Sequence, residues 1–352
     1  MPSSYGKSSE GFVLRSAGSL EPDTMDLGEV ETPVDRFFVC SAGDAPSIDR
    51  DVWRLRVDGD AVNRPVELEI ADLENLTAHE IPAWLECAGN GRQLYSLVDG
   101  HEINSIDSHT PWLLGGMGAA RWSGPRLADV LTVAGLVETA RWVSPAGLDV
   151  DNSEGEPVRM CLPIEKALDQ DTILATHMNG APLAAAHGSP VRLLVPGWMG
   201  AYSVKWLGRI EVSSAWVPSW RADTYYRLRD PEGTDLGPAT AHPVKSSLAV
   251  EWGGDVPAGG CELRGYARSG TGRVVSVEWS IDGDVWHPAQ LAPSAGRWSW
   301  TPFRFYVELT AGEHRIRTRA TDESGASQPD SVPFHPNGIL WNAVTPHPVV
   351  AN

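Results

Sequence analysis

One cysteine of this chain stands in a setting that suits chemistry better than packing. In "AWLECAGNGR", Cys87 ends an apolar run and opens a turn of Ala88, Gly89, Asn90 and Gly91, closed by Arg92. A structural cysteine packs as a small hydrophobe within an apolar segment. Here the small residues let the backbone bend and approach a ligand closely, and Arg92 adds a permanent positive charge to the same turn. This is the setting of a thiolate made to meet a ligand.

Two further cations stand out. Arg192 in "HGSPVRLLVPG" and Lys205 in "VKWLGRIEV" sit in apolar stretches read as strands, where an unpaired charge would be costly, so each expects an anion. Other chemistries lack their signatures. The four cysteines (Cys40, Cys87, Cys161, Cys261) form no CxxC or CxxCH, which excludes zinc ribbons and covalently attached c-type haem. No HExxH or GxSxG occurs, and "GGMGAA" lacks the preceding strand, spacing and downstream acid of a dinucleotide loop. The formal net charge of −18 argues against nucleic acid. No apolar run approaches the ~20 residues of a membrane-spanning helix. The first residues lack a secretory signal's apolar core, so the expected location is cytoplasmic, or exported if a leader was removed.

The elements that must position these groups can be read from periodicity. In "DVWRLRVDG", Trp53, Leu55 and Val57 alternate with polar residues, the pattern of a half-buried strand. "PRLADVLTVAGL" places Leu127, Val130, Leu131 and Ala134 on one helical face. Residues 1–30 read as a polar, irregular surface arm. After Pro243 the chain becomes a series of short alternating strands. Val275, Val277, Trp279 and Ile281 share a face in "RVVSVEWSIDGDVW", ahead of an Asp282-Gly283 turn, and Ile316, Thr318 and Ala320 alternate with arginines in "EHRIRTRATD". The mixture of helices and strands without a βαβ repeat predicts an α+β fold. Residues 31–245 would form a catalytic domain and 246–352 an immunoglobulin-like sandwich.

"CAGNGR", "ARWSGPRLADVL", "HMNGAPL", "HGSPVRLLVPG" and "VKWLGRIEV", in that order, closely resemble the sulfite oxidase family of molybdopterin enzymes. "GYARSGTGRVVSVEWSIDGDVWHPAQL" and "NGILWNA" resemble its dimerisation domain. The resemblance covers about residues 35–345. It implies a molybdopterin-binding domain, two-electron oxygen-atom transfer at molybdenum on a small sulfur oxo-substrate, and a homodimer. It makes Cys87 the metal ligand beside the two sulfurs of the pterin dithiolene. Asp149, His187, Arg192, Ser203, Val204 and Lys205 fall on cofactor-binding positions. Arg92, Trp112 and a tyrosine of "WRADTYYRL" line the substrate site; Tyr225 is the first choice and Tyr226 its alternative.

Two positions depart from the family pattern. The segment that usually reads "FFVRNH" is "FFVCSA" here, and Cys40 stands for its arginine; Asn337 in "HPNGIL" replaces a second one. With two guanidinium groups fewer, the expected substrate is less highly charged or larger than sulfite. The alternatives are another oxo-acid, a sulfoxide or a sulfane, or a cofactor-binding protein with little catalysis. No haem domain is read at either end of the chain. The expected electron acceptor is therefore separate, a cytochrome being one candidate.

Overall fold

A computed structural model describes residues 7–16, 18–28, 30–42, 45–102, 110–151, 155–230, 232–283 and 285–352. The chain is mostly sheet with a few short helices and divides into two compact units. One comprises Met1–Ser9, Val39–Ile81 and Arg121–Thr240; the other comprises Glu10–Phe38, Pro82–Ala120 and Ala241–Asn352. The units are not contiguous in sequence.

The first unit is built on a sheet with strand order Leu162–Pro163, Trp142–Val150, Leu207–Ser213, Leu55–Asp58 and Val66–Leu68. Its central strand pairs Ile210 with Val57 in parallel and with Pro145 antiparallel. Trp53, Leu55, Val57, Ile210 and Val212 are buried, the alternation of a sheet with one covered face. The helix Leu127–Ala134 buries Leu127, Val130, Leu131 and Ala134, the predicted face. Beside this sheet, Arg192–Leu194 pairs antiparallel with Ile173–Ala175. Lys205 is not in a strand. It occupies a bend between the 3₁₀ turn Gly200–Tyr202 and Leu207–Ser213.

The second unit contains a β-sandwich. One sheet has the order Lys245–Leu248, Gly259–Arg268, Thr301–Leu309, Gln290–Leu291; the other has Gly254–Val256, His347–Ala351, Gly312–Asp322, Val274–Ile281, His287–Pro288. Leu263, Phe303, Phe305, Val307, Val277, Ile316, Ala320 and Val349 meet in its core. Each large side chain there stabilises by roughly 1.5–3 kcal/mol on transfer from water. Val275 is exposed rather than sharing the face of Val277. The pairing with Gly312–Asp322 slips between Val274 and Ser276, and a bulge of this kind turns one residue out of alternation.

The N-terminal arm also differs from its reading as irregular surface chain. Phe12–Ser16 and Ser19–Pro22 form an antiparallel hairpin, and Ser19–Pro22 is buried throughout. The Glu21 carboxylate accepts the Gly115 backbone N–H at 2.6 Å and is paired with Arg15. Met25 and Leu27 enter a core with Trp84, Leu94, Tyr95, Trp300 and Trp341. Charged residues disguised this segment, because its burial rests on backbone donors distant in sequence.

Candidate functional site

The strand Ala78–Glu86 delivers Cys87 to the start of its turn. Cys87 is half-buried; its backbone N–H donates to the Gly116 carbonyl at 2.9 Å, and its carbonyl accepts from Asn90 N–H at 2.9 Å. Gly89 is required. A Cβ there would lie 2.6 Å from the guanidinium carbon of Arg92, which folds back over the turn. Arg92 is only 4% exposed, donating Nε–H to the Asn337 carbonyl at 2.9 Å and Nη1–H to the Thr110 carbonyl. Asn337 thus supports Arg92 through its backbone. Trp112 is fully buried, stands edge-on to Phe38 with centroids 5.9 Å apart, and leaves its indole N–H with no acceptor among the described residues.

Behind Cys87 lies a buried ionic network that sequence reasoning missed. The Glu86 carboxylate accepts from Arg268 Nη2 at 2.7 Å and Lys245 Nζ at 2.9 Å, and from Arg268 Nε. Asn90 donates to Glu86 at 2.8 Å, while Lys245 also donates to the Asn90 carbonyl at 2.9 Å. His242 Nε2 lies 3.0 Å from the Glu86 backbone carbonyl, which accepts from it in the tautomer that carries the proton there. Although burial opposes it, the charges of Arg268 and Lys245 hold the Glu86 carboxyl well below the usual range. Burial pushes Lys245 down to about 8. The signal in sequence was Glu86 adjacent to Cys87; its partners lie more than 150 residues away, at separations of 159 and 182.

In the other unit, Arg192, His187, Ser203, Val204, Lys205 and Asp149 converge. The Arg192 guanidinium donates to the carbonyls of His187 at 3.1 Å and Ser203 at 2.8 Å and stacks 5.0 Å from the Trp122 ring. Burial with neutral acceptors pushes Arg192 down to about 9. Lys205 Nζ donates to Ser41 Oγ at 2.5 Å and the Ala186 carbonyl at 3.1 Å. Burial, then the neighbouring Arg192, lowers it to about 7. Lys7 Nζ stands 3.5 Å from His187 Nε2. Ser203 contributes through its backbone, its hydroxyl being held by Val195 N–H at 3.0 Å, and Val204 accepts from Leu193 N–H at 2.8 Å. Gly188 joins these groups at φ +101°, where a Cβ would stand 3.0 Å from Arg192 Cβ and 3.0 Å from Lys205 Cβ. Asp149, on Trp142–Val150, is pushed up to about 6 by burial. Its Oδ1 has no donor among the described residues.

Tyr225 and Tyr226 lie in this same unit. Both are buried, with ring centroids 4.8 Å apart at 82°. Tyr225 ends a single π-helical turn, Arg221–Tyr225, closed by a 2.8 Å bond from Tyr226 N–H to the Arg221 carbonyl. Such turns are frequent at functional sites. Sequence reasoning also missed Arg221, paired with Asp151 at 2.5 Å. Burial opposes its charge, but Tyr226 and Asp151 more than offset this and raise it. Nothing in "SWRADTYY" distinguishes that arginine from a surface one. The structure therefore brings the sequence-predicted residues together in two groups, Cys87–Arg92–Trp112 in one unit and Asp149–His187–Arg192–Ser203–Val204–Lys205 with the tyrosines in the other.

One unit thus carries a half-buried thiol on a pinned turn, and the other a buried cationic nest. Residues 42–220 match the oxidoreductase molybdopterin binding domain and residues 242–345 the Mo-co oxidoreductase dimerisation domain. Human mitochondrial sulfite oxidase is 35% identical over 89% of this chain and 60% of its own length. Chicken sulfite oxidase is 38% identical over 88% of this chain and 70% of its own. The crystal structure of the sulfane dehydrogenase SoxCD from Paracoccus pantotrophus superposes with a TM-score of 0.80 at 25% identity, covering 93% of this chain and 82% of that one. The chain belongs to the sulfite oxidase family of molybdopterin-dependent oxidoreductases. It spans 60% of the length of the human relative.

The residues fit that cofactor. Arg192 is a buried cation held by carbonyl oxygens, as an incoming phosphate requires. Asp149 Oδ1 is a buried acceptor suited to a pterin N–H donor. Among the described residues no group of three His, Cys, Asp or Glu side chains could hold a metal. No helix among the described residues is long and apolar enough to cross a membrane.

Proposed function

We propose that the chain is a molybdenum oxidoreductase that transfers an oxygen atom to or from a small sulfur substrate and passes electrons to a separate acceptor. The observation that carries the reading is the buried Arg192–Lys205 pair beside the donor-less Asp149 oxygen, a nest with both an anionic and a hydrogen-bonding requirement. When bound, molybdenum supplies a two-electron couple able to exchange oxygen with substrate. Cys87 would hold the metal through its thiolate, Arg192 and Lys205 would hold the phosphate, and His187 the phosphate or the pterin. The Ser203 carbonyl fixes Arg192, the Val204 carbonyl holds its strand through Leu193 N–H, and Asp149 would accept from the pterin. Arg92, oriented by the Thr110 and Asn337 carbonyls, supplies the positive charge beside the substrate; Trp112 offers its indole N–H. Tyr225, with Tyr226 as the alternative, hydrogen-bonds the transferring oxygen.

Cys40 and Asn337 favour a substrate less charged than sulfite. The structural relative SoxCD is a sulfane dehydrogenase, which supports sulfane among the alternatives. A cofactor-binding protein with little catalysis is the reading from another class, disfavoured by the retained Arg92 and tyrosine pair. The test is molybdenum analysis of protein made in a cofactor-competent host, followed by turnover of sulfite, sulfoxide, sulfane and nitrogen oxo-substrates with an artificial acceptor. Parent protein should oxidise sulfite poorly, and Cys40→Arg with Asn337→Arg should tighten apparent sulfite affinity tenfold or more. That is the effect of ~1–3 kcal/mol per recovered charge-assisted bond. Absence of molybdenum, or micromolar sulfite saturation unchanged in the double variant, would refute the reading.

A further inference from the structure

We propose that Lys245, with Glu86 and Asn90, forms a clamp that fixes the direction of the Cys87 thiol, so that Lys245 is a positioning residue for the metal ligand. In its functional consequence the inference rests on reading Cys87 as that ligand. The geometry is specific to the turn. Lys245 Nζ donates at 2.9 Å to Glu86, the residue before Cys87, and at 2.9 Å to the carbonyl of Asn90, three residues after it. One ammonium therefore joins the two sides of the turn. The Asn90 side chain repeats the connection, donating to Glu86 Oε1 at 2.8 Å and accepting from Gly116 N–H at 3.0 Å. Gly116 in turn accepts the Cys87 N–H at 2.9 Å. Cys87 is thus held through its own peptide and through both neighbours.

An ion pair for stability alone would need only Glu86 and Arg268. Arg268 already engages the carboxylate through Nε and, at 2.7 Å, through Nη2, which is a complete bidentate pairing. Lys245 brings a second buried cation to the same carboxylate, an expensive arrangement for stability. Its additional bond, to the Asn90 carbonyl, acts on the turn and on nothing else. Pre-set ligand direction is what a metal site gains from outer partners of this kind.

Lys245→Met removes the clamp and leaves Glu86 paired with Arg268; Asn90→Ala cuts the second connection without changing charge. Both are compared with parent in the cofactor-loaded form by amide hydrogen exchange and by the rate of molybdenum loss during dialysis. We expect exchange across residues 86–92 to rise at least tenfold and molybdenum loss to accelerate at least tenfold, with exchange in Thr301–Leu309 unchanged. If Lys245→Met does not fold, Asn90→Ala decides. Unchanged exchange across the turn, or a rise shared equally by Thr301–Leu309, would overturn the clamp. Cys87→Ser is the separate control: molybdenum retention equal to parent would sink the ligand assignment, while the exchange data would still judge the clamp.

Discussion

If Lys205 holds the cofactor phosphate as proposed, it makes cofactor binding depend on pH with a sign that can be worked out. In the free protein its ammonium titrates at about 7, lowered from 10.5 by burial and then by Arg192. A phosphate dianion beside it restores the charged form and raises that value. Below pH 7 the proton is held both free and bound, so Lys205 contributes no pH dependence. Above pH 7 binding takes up a proton, and affinity falls by up to tenfold per pH unit until the bound-state pKa is reached. Asp149, ionising above about 6, repels the anion in the same direction. Below ~6 the phosphomonoester itself gains a proton, so affinity peaks between about pH 6 and 7. A contact near 4 Å at an effective dielectric of ~20 is worth on the order of 4 kcal/mol before desolvation. About 2.7 kcal/mol surviving would raise the bound-state pKa by ~2 and weaken binding roughly 25-fold from pH 7 to 9, towards a limit of ~100-fold over the whole range. Calorimetric titration of cofactor-free protein with a pterin phosphomonoester, in two buffers of different ionisation heat, reads affinity and proton uptake together. Lys205→Met should weaken binding at pH 6.5 by roughly 10–100-fold, the loss of one charge-assisted bond, and should reduce the slope above pH 7 to what Asp149 contributes. A flat parent profile from pH 7 to 9, or an undiminished slope in the variant, would refute the reasoning. The same depression makes the cofactor-free protein gain stability as pH rises from about 7 towards 10.5, because over that window only the unfolded chain binds the proton.

Gly188→Ala should lower the thermal midpoint of the cofactor-free protein. The φ of +101° and the 3.0 Å approach to Arg192 and Lys205 together imply a loss of ~1–3 kcal/mol, readable by calorimetry; an unchanged midpoint would contradict it. Gly89→Ala should displace the Arg92 guanidinium, whose carbon stands 2.6 Å from the added methyl, and raise KM for the substrate more than it lowers kcat; wild-type kinetics would refute that role. The sandwich is expected to pair two chains in a two-fold dimer, and light scattering should report twice the chain mass at micromolar concentration. A monomer at that concentration would count against it.

Much of the architecture was legible because it is written in local periodicity. Leu127, Val130, Leu131 and Ala134 mark their helix, and Ile316, Thr318 and Ala320 mark their strand. Elements whose place depends on distant partners were not legible. Glu21 looks like a surface acid, yet it is buried because the Gly115 and Leu113 backbone donors, far along the chain, need an acceptor. Val275 fits the strand pattern, but a bulge reverses its direction. Among the candidate residues, Cys87, Arg92, Arg192 and Lys205 stand out in sequence because a reactive or charged group among glycines or apolar residues is locally anomalous. Glu86, Lys245, Arg268 and Arg221 could not, since an acidic or basic residue is anomalous only once its burial is known.

The Glu86 network has a consequence for the order in which the protein matures. Glu86 and Asn90 leave the ribosome long before Lys245, and Lys245 and Arg268 lie on adjacent antiparallel strands. The turn that carries Cys87 therefore cannot take its final shape when it is first synthesised. It must wait for a chain segment some 160 residues later to emerge and pair. Contacts of such long separation form late, after the loop-closure entropy between them has been overcome. A Cys87 thiol that serves as the proposed metal ligand would thus gain its fixed direction only after Lys245–Leu248 and Gly259–Arg268 have paired.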